Sequence, residues 1–134
     1  MIVLDELFKY GYHDTYIDSI SFLKKYIDIH FKNGIFNLDE VGRETTLTTN
    51  VKMRIYVDIS LFSLNEVIEI REVYPKYQNI STKKVVSCLK KNDFSVENIY
   101  FSNFNNKILI ECGCEDNVYL LSIEDCEKIE FIFK

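Results

Sequence analysis

Between Val51 and Phe62, apolar Val51, Met53, Ile55, Val57, Ile59 and Leu61 alternate with Lys52, Arg54, Tyr56, Asp58, Ser60 and Phe62. A period of two predicts a strand with one dry and one wet face, as antiparallel sheets contain. The same alternation sets Ile27, Ile29 and Phe31 against Tyr26, Asp28 and His30, and predicts a strand over 26–31. An earlier strand is expected near 17–22. Asn33-Gly34, two residues that tolerate positive φ, predicts a type I′ hairpin joining 26–31 to a strand that begins at Ile35. Residues 39–50 are polar and read as a loop or an edge strand. Further strands are expected over 67–73, 98–104, 107–114, 118–124 and from 128 to the end. Asn105-Asn106 and Glu115-Asp116-Asn117 are the turns among them, and Pro75 ends regular pairing after 67–73.

Helical spacing occurs twice. Leu4, Leu7 and Phe8 predict a short helix over 3–10, with Asp5 and Glu6 in its first turn and Gly11 as its stop. Ser81 caps a second helix that runs to about Lys91, where Val85, Val86 and Leu89 form an apolar stripe joined by Cys88. About eight mostly antiparallel strands with one or two short helices define an α+β fold, a curled sheet or sandwich closed by a helix. One domain over residues 1–134 accounts for the length.

Composition narrows the class. The chain is 47% hydrophobic and 28% charged, close to the globular average, which excludes a disordered chain. Ala and Trp are absent, and the abundance of β-branched and aromatic residues favours strands. No apolar run reaches the ~18 residues of a membrane span, and Met1-Ile2-Val3-Leu4-Asp5-Glu6 does not read as a signal peptide. A formal charge of −5 argues against a nucleic-acid partner held by a basic surface.

Candidate chemistry is sparse. His13-Asp14 is the pairing that metal-dependent phosphohydrolases use, but such sites need more ligands, and His30 is the only other histidine. A turn in which Asp14 caps backbone amides is the plainer reading. Cys112 and Cys114 share a strand face with Ile108 and Ile110, and their spacing is too short for a usual structural zinc pair. A four-thiol site would need Cys88 and Cys126 to converge on them. Reduced, core-packed thiols are the expectation, and the cytoplasm is the compartment they imply. No G-x-S-x-G elbow and no glycine-rich phosphate loop occurs, so no catalytic residue and no cofactor is assigned.

Charge is unevenly spread. Residues 1–110 carry 14 acidic and 14 basic side chains, whereas Glu111, Glu115, Asp116, Glu124, Asp125, Glu127 and Glu130 face only Lys128 and Lys134 in residues 111–134. The whole net charge therefore sits in the last strands. These seven acids are the candidate partner-binding residues, expected to form one negative rim that steers a basic protein. Nine tyrosines, a residue type favoured at protein–protein hot spots, add to that expectation.

The segment Gly11-Tyr12-His13-Asp14-Thr15-Tyr16-Ile17-Asp18-Ser19-Ile20-Ser21-Phe22 resembles small bacterial immunity proteins of polymorphic and contact-dependent toxin systems. Gly34-Ile35-Phe36-Asn37-Leu38-Asp39 and Asn106-Lys107-Ile108-Leu109-Ile110-Glu111 are similar to that group as well. The resemblance implies a small, acidic, non-enzymatic cytosolic protein that binds and blocks a toxin domain. Two other readings stand beside it. One is a small metal-dependent hydrolase built on His13, Asp14 and His30; the other is a structural protein that forms homo-oligomers through a sheet edge.

Overall fold

A computed structural model describes residues 2–57 and 67–134. Among them, the α-helices α1 (Ile2–Leu7) and α2 (Thr82–Lys91) accompany twelve strands. These are β1 (Tyr10–Gly11), β2 (Tyr16–Phe22), β3 (Tyr26–Phe31), β4 (Phe36–Leu38), β5 (Glu44–Leu47) and β6 (Val51–Val57). They continue with β7 (Ile68–Tyr74), β8 (Gln78–Asn79), β9 (Phe94–Ser102), β10 (Lys107–Cys114), β11 (Asn117–Ile123) and β12 (Cys126–Phe133). The fold is α+β and mostly antiparallel, as the alternation predicts. Expected strand residues 58–62 lie outside the described residues.

Nine strands form one sheet in the order β12-β6-β3-β2-β9-β10-β11-β7-β8, and β1-β4-β5 form a small second sheet. The large sheet is nearly divided, because β2 and β9 pair only through Tyr16↔Ser95 and Ile17↔Phe94. Its two halves, β12-β6-β3-β2 and β9-β10-β11-β7-β8, contribute to a single core. Ile27, Ile29, Phe31, Met53 and Ile55 from the first half join Phe94, Val96, Ile108, Ile110 and Leu121 from the second. Each such side chain contributes roughly 1.5–3 kcal/mol through burial. α2 packs on β2 and α1 on β12.

Local chemistry fixes the elements. The Ser81 hydroxyl accepts the Lys84 N–H at 3.2 Å, capping α2, while Val85 and Leu89 bury one face. Asn105 and Asn106 take left-handed φ of 58° and 45°, which Asn tolerates, and turn β9 back into β10. α1 ends at Leu7, earlier than expected, and Tyr10-Gly11 is drawn into a strand by pairing with Asn37 and Phe36. The polar stretch 39–50 contains β5, an edge strand whose four residues are all exposed.

The Asn33-Gly34 hairpin does not form. Only Gly34 has positive φ (84°), and its N–H donates to the Phe31 carbonyl at 3.1 Å. Glycine thus occupies the last position of the turn, where type I turns favour it. A Cβ at Gly34 would collide with the Thr48 and Thr49 carbonyls, so close passage of that segment fixes the glycine. The chain leaves the large sheet here, and β4 pairs with β1 and β5 instead of β3.

Candidate partner-binding face

The pleat of β10 sends Ile108, Ile110 and Cys112 into the core. Lys107, Leu109 and Glu111 consequently lie on the outer surface. Antiparallel register extends this surface into two rows. One row runs Tyr100, Leu109, Ser122, Glu69 across β9, β10, β11 and β7. The other runs Asn98, Glu111, Leu120, Arg71. Leu109 and Leu120 are only half-buried and Tyr100 is 50% exposed, so an apolar and aromatic centre faces outward.

Polar groups frame that centre. Asn98 donates to the Glu111 carboxylate at 3.2 Å. Arg71 donates to the Tyr77 hydroxyl at 2.8 Å and to Glu69, whose carboxyl this bond holds below its ordinary range. Tyr77 is 67% exposed, with the guanidinium 5.3 Å from its ring centroid. Lys107 lies 3.8 Å from Glu124.

The expected acidic rim is divided by topology. Glu111 lies within the face. Glu115 and Asp116 occupy the β10–β11 turn, both exposed, and Glu115 accepts from Asn92 at 2.8 Å. Glu124 and Asp125 occupy the β11–β12 turn, where Asp125 adopts a φ of 54°. The intervening strand holds these two turns about 20 Å apart. Glu127 and Glu130 are carried off to the other half, because β12 pairs with β6 rather than beside β11. Glu130 there accepts from the Tyr56 hydroxyl at 3.4 Å. Five of the seven acids thus bracket one face, and two do not belong to it.

Tyr100 and Tyr77 belong to the tyrosines counted toward a binding surface, whereas Leu109, Leu120 and Arg71 are not singled out in the sequence. One signal was present: Leu109 shares Glu111's parity, which places an apolar residue on a polar face.

The remaining candidates occupy other places. His13 Nδ1–H donates to the Glu97 carbonyl at 2.8 Å, and its Nε2 lies 3.4 Å from Asp14. The carbonyl bond, then the Asp14 charge, raises the imidazole above its usual pKa. Asp14 takes a φ of 61° and donates its N–H to the Val96 carbonyl, joining this loop to β9. His30 instead pairs with Asp18 at 2.7 Å on the first half of the sheet. The two histidines therefore engage different carboxylates. Among the described residues no three His, Cys, Asp or Glu side chains are grouped to hold a metal. All four cysteines are free, and burial pushes Cys112 and Cys126 up to about 12. No described helix is long and apolar enough to cross a membrane.

No protein-family model, curated protein or solved structure matches the chain.

Proposed function

We propose that the protein is a non-enzymatic binding module of the immunity type, which occupies and neutralises a basic toxin domain. The observation that carries this reading is the outer face of β9, β10, β11 and β7. Tyr100 is exposed and Leu109 and Leu120 are half-buried on it, with Glu111, Glu115, Asp116 and Glu124 in and around it. An apolar centre inside a polar rim is the anatomy of protein–protein interfaces. Tyrosine and arginine, supplied here by Tyr100, Tyr77 and Arg71, are the side chains on which binding energy concentrates. The carboxylates select a partner of opposite charge and speed its approach. A cytoplasmic location agrees with four free thiols.

Capture from a lysate of the source organism tests the reading, with tagged wild type and a Tyr100→Ala/Leu109→Glu variant run side by side. A basic polypeptide should remain on the wild type at low salt, be shed at high salt and be missing from the variant. Equal retention by both proteins, or none by either, would overturn it.

A further inference from the structure

A cleft of about 610 Å³ opens where the end of α1, the β1–β2 loop, β5 and β9 meet. That volume lies within the range of small-ligand sites. Phe8, Tyr10 and Ile99 supply apolar and aromatic lining, and His13, Arg43, Glu44 and Glu97 supply charge. Glu44 lies so close over Gly11 that a Cβ there would occupy the space of its carboxylate.

The charges do not cancel. Arg43 is bound to Asp39, with Nε 2.9 Å from Oδ2. His13, even when protonated, is influenced by three carboxylates, Asp14, Glu44 and Glu97. Among the described residues neither Glu44 nor Glu97 has a Lys or Arg partner. Two negative charges therefore remain beside aromatic rings, the combination that attracts ammonium and guanidinium groups. The cleft also adjoins the face described above, since Asn98 lines it and bonds Glu111 on that face.

We infer that this cleft is a seat for an organic cation, an alkylammonium or guanidinium group. The site itself stands on the cleft's geometry and charge. Its assignment to a side chain of a basic protein rests on the proposed function. A free polyamine would present the same chemistry.

Titration of the ¹⁵N-labelled protein, followed by amide shifts, tests the site with four probes: N-acetyl-arginine amide, N-acetyl-lysine amide, N-acetyl-norleucine amide and spermidine. The cations should shift Gly11, His13, Glu44 and Asn98 at millimolar concentration, and the norleucine compound should not. A Glu44→Gln/Glu97→Gln variant should bind the cations at least about fivefold more weakly. Stronger binding of the capped amino acids than of spermidine supports the site and assigns it to a partner's side chain. The reverse order supports the site and assigns it to a free cation. No cleft shift at about 20 mM, or equal affinity in the variant, would overturn the inference. Running the Tyr100→Ala/Leu109→Glu variant in parallel separates the two readings. Cation shifts should persist in that variant whether or not it captures a partner.

Discussion

The two outer faces of the divided sheet are built from the same alternation and end in opposite states. On β6, β3 and the neighbouring parts of β12 and β2, the charged and aromatic outward side chains are paired with one another, while Ile132 and Tyr16 at the margins stay exposed. Asp28, only 6% exposed, accepts from Arg54 Nε at 2.8 Å and from Nη2 at 3.0 Å. Arg54 lies 4.1 Å from the Tyr26 ring centroid, and Tyr26 packs against Tyr56 at 5.5 Å. Lys128 sits over Tyr56, whose hydroxyl meets Glu130. His30 is anchored to Asp18, although its Nε2 is buried without a hydrogen-bond partner among the described residues. On β9, β10, β11 and β7, by contrast, half-buried Leu109 and Leu120 and exposed Tyr100 lie among the charged residues. Surface charge on a sheet can therefore close a face or frame one. Register decides which, since Asp28↔Arg54 brings opposite charges together while Glu111↔Leu120 sets a carboxylate beside a leucine.

The strongest way to break this contrast is Arg54→Ala. Asp28 would be left nearly buried and without its bidentate partner, and losing one member of such a pair is strongly destabilising. We expect Tm to fall by roughly 10 °C in thermal unfolding. Asp28→Ala/Arg54→Met, which removes both charges, should recover most of that loss. A fall in the double variant as large as in Arg54→Ala would show that the network does not hold the first face together.

The second face should respond oppositely. Tyr100→Ala removes a half-exposed ring, and its effect on Tm should stay within about 2 °C, as for most surface substitutions. Its effect on association should be larger, roughly 2 kcal/mol or about thirtyfold in Kd by calorimetry with the captured partner. An unfolding shift comparable to that of Arg54→Ala would mean the two faces do not differ in kind. A smaller change is expected for Glu115→Lys/Asp116→Lys. These exposed acids act at a distance, so the association rate should drop about tenfold at low salt and return toward wild type at high salt. A rate insensitive to salt would remove the acids from the framing role.

How far the contrast was legible in the sequence depends on the range of the contacts. Alternation within Val51–Val57 and Tyr26–Phe31 placed Arg54 and Asp28 opposite the core residues, because side-chain parity is a local property, but Asp28 is buried there rather than wet. That these two residues meet is a matter of register between strands 26 residues apart, on which no local pattern reports. The Asn33-Gly34 reading failed for a related reason. Local turn chemistry allowed a hairpin, but contact with Thr48 and Thr49 sent the chain into the small sheet. The acidic rim was likewise read along the chain, as though neighbours in sequence remain neighbours in the sheet. Pairing of β12 with β6 separates Glu127 and Glu130 from the rest.

The inner sides of the two halves should behave alike, and the cysteines report on them with the smallest perturbation. Cys112 lies behind the open face and Cys126 behind the closed one, both almost fully buried. Burial pushes both thiols up to about 12. At pH 8 the thiolate fraction of each is then on the order of one in 10⁴. Alkylation of the native protein should leave both unmodified over times in which a free thiol reacts completely, while the partly exposed Cys88 and Cys114 label first. Mass spectrometry after brief iodoacetamide treatment reads this directly. Equal protection of Cys112 and Cys126 would confine the difference between the halves to their outer surfaces. Early labelling of Cys112 alone would show that the open face is also the looser half of the core, with its half-buried leucines reflecting poor packing rather than readiness for a partner.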